Sequence, residues 1–343
     1  MKKMKIAGFI LSILAGFLFE GCESIFIKPP VSDENLEDFE AVWKRVRDVY
    51  PLLEYKKIDW DSLYLVYRPL AEAARGDEFY LVLDALLAEL KDGHIYYHTP
   101  GGGEVYPYYP QRHFKDRHAY SPFVVRHYFD GKLMLSISGS AEYGITPGNI
   151  GYVFLSDFHG NYLKNEFPEI LKVLNETKGL IIDIRQKRGG DYQTVLSVVS
   201  WFLSAPLEPP KLYFLGHLVE QAPLEPNRSG TYLKPVVVLI NGSTFSAGEV
   251  TTEMLKQLPT VTAVGDTTGG GGVASGSSPP EIVGEYLLPG GRLVYIGTGY
   301  FERYDGQPFE WIGIPPDIRV EQTEADIQSN RDKQLEYAIN LLK

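Results

Sequence analysis

One stretch, running from Pro235 to Glu249 as PVVVLINGSTFSAGE, limits the architectures open to this chain more than any other. Val236 to Ile240 is an unbroken apolar run, the pattern of a strand buried on both faces in a parallel sheet covered by helices. A short polar turn, Asn241-Gly242-Ser243-Thr244, follows. Ala247, Val250, Leu255 and Leu258 then mark one helical stripe. Ser246 sits at the junction. A hydroxyl there faces unpaired first-turn N–H groups and the positive end of the helix dipole, both of which favour a negative oxygen. The same residues also spell S-x-x-E, the capping box, in which the serine only satisfies backbone donors. On this stretch alone both readings stand.

The rest of the chain alternates in the same way. Asn35 is positioned to cap a helix whose apolar face is Leu36, Phe39, Trp43, Val46 and Tyr50, and helical patterns recur at 60–67 and 78–90. These place a small helical subdomain at 33–90, structural on its face, ahead of an α/β domain at 91–343. Gly101 to Pro110 reads as an irregular, exposed segment. Strands are expected at 123–127, 133–137, 150–155, 180–184, 212–215, 262–264, 286–288 and 293–296. Helices are expected at 162–174, 193–203 and 334–342. Strand, glycine turn, helix, strand, serine turn, helix, strand is an α/β order with right-handed crossovers.

The N-terminus carries an address. Lys2, Lys3 and Lys5 precede an apolar stretch from Ile6 to Phe19 that ends at Gly21-Cys22. A basic region, a short apolar core and a small residue before the cut describe an export signal over 1–21, too short for a membrane span. Cys22 is the only cysteine, so no disulfide forms within the chain. Its place resembles the lipidated first residue of a bacterial lipoprotein, with 22–32 as a tether; the other reading is an ordinary signal peptide with a chance cysteine. The first reading implies an exported protein of the cell envelope, held to a membrane through a lipid anchor. The formal net charge is -11, and loss of 1–21 makes it more negative still. No basic excess exists to neutralise phosphates, which argues against a nucleic-acid partner.

Three other segments carry residues that can converge on Ser246. Asp92-Gly93-His94 presents a histidine where a helix gives way to extended chain. Asp183-Ile184-Arg185, followed by Gly189-Gly190, puts bare backbone at a strand end. Glu310 stands just before a Gly-Ile-Pro-Pro-Asp turn. The order D-G-H, D-I-R-x-x-x-G-G, S-A-G-E, G-D-T-T-G, E-x-x-G-I-x-P-D resembles the serine peptidases related to the tail-specific (C-terminal-processing) and tricorn proteases, over about residues 35–343. There are departures. In the tail-specific branch a lysine base stands where this chain has Gly271, so the likeness is to the tricorn-type branch that lacks it. Lys187 replaces an Asn usual before the double glycine. No segment has the length or pattern of an inserted PDZ module.

The resemblance implies a crotonase/Clp protease-like layered α/β core and a serine peptidase acting on peptide or protein substrates without metal or organic cofactor. It implies Ser246 as nucleophile, His94 as base and later acid, Glu310 as the group that orients the imidazole, and the backbone N–H groups of Gly189 and Ala247 as the oxyanion hole. The other residues have plainer readings. Asp183 and Arg185 read as a structural pair, and Asp92 as a turn former through an Asx bond. His94 and His98 make H-x-x-x-H, but on a strand they lie about 13 Å apart, too far to share a zinc. Gly269 to Gly272 lacks the G-K-[ST] of a phosphate loop and allows close backbone approach instead. Two rival functions remain: a binding protein on the same fold that has lost turnover, and a non-proteolytic acyl hydrolase.

Overall fold

The computed structural model describes residues 33–186 and 189–343. The expected signal 1–21, the lipidation position Cys22, the tether 22–32 and Lys187 lie outside the described residues. The apolar runs singled out above form the centre of a seven-stranded sheet. Val236–Ile240 is flanked in parallel by Leu180–Asp183 on one side and Val261–Gly265 on the other. Gly151–Leu155 and Ile318–Arg319 extend the parallel part, and Ala141–Ile145 and Met134–Leu135 close one edge antiparallel.

The two-residue period of the central strand divides its side chains between two cores. Val236, Val238 and Ile240 pack with Leu180, Ile182 and the helices Tyr162–Leu174, Tyr192–Val199 and Ala247–Leu255. Val237 and Leu239 pack on the other face with Tyr152, Ile181 and, from the C-terminal helix Lys333–Leu341, Leu335 and Ala338. A strand apolar at every position is what such a helix–sheet–helix layering requires.

The N-terminal helices Asp33–Val49, Trp60–Ala73 and Glu78–Ala88 share a third core with Ile95, Tyr97, Val273, Leu288, Val294 and Ile296. The strands in this core, Tyr96–His98 and Leu293–Tyr295, belong to a four-stranded antiparallel sheet. The helices therefore pack against residues from far along the chain, and that sheet ties them to the region of His94. Among the described residues, no helix is long and apolar enough to cross a membrane.

Several local expectations are corrected. Residues 123–127 form no strand: Pro122–His127 is a helix with Pro122 in its first turn and Val124 and Val125 buried. The β-branched pair favours a strand, but proline at a helix start and burial of both valines on one side prevail. Asn35 lies inside the first helix rather than capping it, and its side chain accepts a hydrogen bond from Arg292 at 2.8 Å. The segment after Gly103 is not wholly irregular, since Glu104–Val105 pairs with Tyr96–His98.

The expected Asp183–Arg185 pair is larger than two residues. Arg185 is fully buried, with its guanidinium 2.7 Å from Asp183 Oδ2 and 2.8 Å from both carboxylate oxygens of Asp332. Asp332 caps the C-terminal helix by accepting from the Leu335 N–H at 2.9 Å. The cluster thus locks that helix to the strand end beside Gly189. Truncation would leave two buried carboxylates without their cation. Arg185→Met is expected to destabilise the fold by about 3–5 kcal/mol. Denaturant unfolding checks this as a lower midpoint at unchanged slope.

Candidate active site

At the end of the central strand the chain turns through Asn241–Thr244 and reaches Ser246 with φ 54° and ψ -120°. Positive φ is uncommon for a residue with a Cβ, and a regular N-cap has extended torsions instead. Ser246 therefore does not sit as an ordinary cap, although Glu249 does reach back to its N–H at 3.1 Å. A serine held in such a conformation on a sharp strand-to-helix turn projects its hydroxyl out of the fold.

Glu249 holds this turn. Its fully buried carboxylate also accepts from Thr268 Oγ1 at 2.6 Å and from the Gly270 and Gly271 N–H groups at 2.8 and 2.7 Å. Burial raises its pKa, while these hydrogen bonds pull it down. The sequence presented Glu249 only as half of a capping box. In the structure it fastens the glycine loop 269–272 to the serine turn.

Gly189 and Ala247 both border Ser246. A Cβ built on Gly189 would lie 3.6 Å from Ser246 Oγ, so its backbone runs directly beside the hydroxyl. Ala247 opens the helix that follows. Neither its N–H nor that of Gly189 has a hydrogen-bond acceptor among the described residues. Unpaired N–H groups at a protein's interior edge are rare and mark places where a ligand oxygen is accommodated.

His94 and Ser246 line one cleft of about 450 Å³, together with Gly93, Gly189, Gly190 and Phe245. Tyr96, Tyr106, Tyr109 and Tyr295 line it as well, with Glu104 accepting from the Tyr106 hydroxyl at 2.8 Å. The imidazole stacks on Phe245, ring centroids 4.5 Å apart. Neither ring nitrogen of His94 has a hydrogen-bond partner among the described residues. Asp92 Oδ1 stands 3.6 Å from His94 Nδ1, beyond hydrogen-bond length, and instead accepts from the His94 backbone N–H at 2.8 Å, the Asx contact expected of it. A base poised beside a nucleophile often reaches full contact only around a bound substrate.

Glu310 is buried beneath the same imidazole. It receives the Gly272 N–H at 3.1 Å and, unforeseen from sequence, the ammonium of Lys56 at 2.7 Å. Ligand atoms of Asp92, His94 and Glu310 lie within 4.8 Å of one another, a spacing that a cation could bridge. The Lys56 ammonium, bonded to Glu310 and 3.7 Å from Asp92, already supplies positive charge there and disfavours a metal. The two carboxylates part in their acidity. Burial and the neighbouring Asp92 charge push Glu310 up to about 7 against the pull of Lys56. Asp92 is also fully buried, yet Lys56 and His94 outweigh that and hold it well below the usual carboxylate range. Lys56 carried no sequence signal, because a lysine on a surface-like amphipathic segment is ordinarily solvated.

Gly271 explains the missing lysine in physical terms. A Cβ there would meet the Phe245 ring at 2.0 Å, so the ring that stacks on His94 fills the path a side chain at 271 would take.

The chain matches the family model described as Peptidase family S41 over residues 149–320, and that of the Tricorn protease C1 domain over 32–88. It is 30% identical over 202 residues to the carboxyl-terminal-processing protease of Synechocystis sp., covering 57% of this chain and 44% of that one. It is 26% identical over 197 residues to the tricorn protease of Thermoplasma acidophilum, covering 57% of this chain and 17% of the relative. The matched part is thus less than half the length of either relative. Among solved structures, a putative peptidase from Parabacteroides merdae superimposes with TM-score 0.75 at 26% identity, over 91% of this chain and 97% of that one. The crystal structure of the tricorn protease shares the fold at TM-score 0.58 and 17% identity, over 90% of this chain and 36% of that one.

Gly271→Ala forces the Phe245 ring off His94. It is expected to lower stability by about 1–3 kcal/mol, read by thermal unfolding, since overpacking is relieved only by moving a stacked ring.

Proposed function

The chain belongs to peptidase family S41, and from that premise we propose that it hydrolyses peptide bonds with Ser246 as nucleophile, His94 as general base and Glu310 as the carboxylate behind it. The observation that carries the reading is the backbone of Ser246. A non-glycine residue at φ 54°, between a buried strand and a helix, is strained, and such strain persists where function uses it.

In the proposed reaction, Ser246 Oγ attacks the carbonyl carbon of the scissile bond as its proton passes to His94. The carbonyl oxygen becomes negative and receives the N–H groups of Gly189 and Ala247. Loss of one such donor typically costs about 3–4 kcal/mol of barrier. His94 returns the proton to the leaving amine, and water then resolves the acyl-enzyme by the reverse sequence. Glu310 stabilises the imidazolium formed between these steps. The backbone N–H groups of Gly189 and Ala247, without an acceptor among the described residues, support the oxyanion-hole assignment. The substrates in this reading are peptides or exported proteins of the cell envelope, met by an enzyme tethered through lipidated Cys22.

A fluorophosphonate probe tests the proposal without knowledge of the substrate. Wild-type protein is expected to take one label at Ser246. Ser246→Ala should take none, and His94→Ala should react about 10²–10⁴-fold more slowly. A folded wild type that stays unlabelled supports the binding-only alternative.

The acidity of Glu310 gives a second test. Below about pH 7 its carboxyl holds a proton and lends no negative charge to His94, so the labelling rate should climb as pH rises through that value. Glu310→Gln should lower the rate at pH 8 by about 10²-fold or more and change the shape of the acid limb. An unaltered rate and profile would mean the third member is misassigned.

A further inference from the structure

We propose that Lys56 is a positioning residue for this site: its ammonium keeps Asp92 and Glu310 ionised together and fixes both against the turn that carries His94. The proposal rests on the reading of Ser246 and His94 as nucleophile and base.

Lys56 ends the short helix Leu53–Lys56, and its side chain has no exposed surface. Burying an ammonium is expensive unless every proton on it is used. Here the three N–H bonds of Nζ go to Glu310 Oε1 at 2.7 Å, Tyr50 Oη at 2.8 Å and the Leu90 carbonyl at 2.9 Å, the last shared with the Lys91 carbonyl at 3.2 Å. The last two carbonyls follow the helix Glu78–Ala88 and lead straight into Asp92-Gly93-His94. An ammonium at a helix C-terminus satisfies carbonyls that would otherwise lack donors. One buried side chain thereby grips the His94 turn at one end and Glu310 at the other.

The charges require it. Asp92 and Glu310 are both fully buried and converge on the same imidazole. Two like charges so placed do not both persist without compensation. Among the described residues, no cationic side chain other than Lys56 and His94 itself lies within ion-pair distance of either carboxylate. The remaining groups facing the cluster are neutral. Tyr50 donates to Asp92 Oδ2 at 2.6 Å, Tyr55 donates to the Glu310 carbonyl at 3.3 Å, and the Trp311 ring lies 5.2 Å from the ammonium. Burial first, and then the carboxylates, raise the pKa of Tyr50, Tyr55 and Tyr108. Burial raises that of Tyr295 too. None of these hydroxyls can replace the missing charge.

Without Lys56, one proton would settle on the carboxylate pair and turn Glu310 from an acceptor into a neutral acid. The defect would be chemical and would ease as pH rises, which a purely structural role would not produce. The test is the fluorophosphonate labelling rate of the full chain against pH, for wild type and Lys56→Met. At pH 7 the variant should react about 50-fold more slowly. The gap should narrow to about tenfold by pH 9, with the acid limb displaced upward by about one unit. An unchanged rate, or a loss of the same size at every pH, overturns the proposal.

If Lys56→Met does not fold, the comparison is made in a Glu310→Gln background, where no second carboxylate needs compensation. There Lys56→Met should fold and cost less than about threefold, and a larger cost or a second failure to fold overturns the proposal. A wild type that takes no label defeats the hydrolase reading itself. A labelled wild type with an indifferent Lys56→Met variant defeats the role of Lys56 alone.

Discussion

The Glu249 carboxylate holds the conformation on which the site depends. Ser246 keeps a left-handed backbone only because something fixes the turn on both sides, and Glu249 accepts the Ser246 N–H on one side and two glycine-loop N–H groups on the other. Below it the strand Val236–Ile240 is anchored in register between two parallel neighbours, so the turn cannot slide. Above it the glycine loop passes between the serine turn and the Phe309–Trp311 segment, joined by the Gly269 N–H to Thr244 and the Trp311 N–H to Gly270. The hydroxyl is placed by a rigid sheet, a helix start and one buried acid. No mobile loop is needed to present it.

The proposed base, His94, comes from a different structural unit. His94 follows the last N-terminal helix and sits at the entrance to the small antiparallel sheet, whose residues share a core with those helices. Phe245, next to the serine, stacks on the imidazole and provides the contact between the two units. Lys56 ties the same helices to Glu310 from beneath. The helical segment, which reads in the sequence as packing alone, therefore reaches Glu310, the proposed third member of the site, through one lysine. Glycine at 271 fits the same arrangement, since the volume a side chain there would need is already filled by the Phe245 ring.

The central strands, the serine junction and the helix Tyr162–Leu174 were legible because burial on two faces leaves an unbroken apolar run and burial on one leaves a helical stripe. Residues 123–127 misled, since Val124-Val125 speaks for a strand and only the preceding proline speaks for a helix. Ala141–Ile145 was not legible because Ala141, Glu142 and Gly144 are weak strand formers and only Tyr143 and Ile145 speak for a strand. In the site, Ser246, Gly189 and His94 were accessible through motifs that put a reactive or bare group at the end of an element, and the structure brings all three to one cleft. Lys56, the reach of Glu249 and the Arg185–Asp332 contact were not accessible. Each depends on a partner between 19 and 254 residues away, and no local pattern records such a distance.

The account stands on one spatial relation, an imidazole from before residue 100 acting on a hydroxyl near residue 246. A crystal structure of the fluorophosphonate adduct measures it directly. The account predicts phosphorus bonded to Ser246 Oγ, a phosphoryl oxygen about 3 Å from the N–H groups of both Gly189 and Ala247, and a His94 ring nitrogen within hydrogen-bond reach of the adduct. Phosphorus on another residue, or an adduct oxygen turned to solvent with His94 still stacked out of reach, would contradict it.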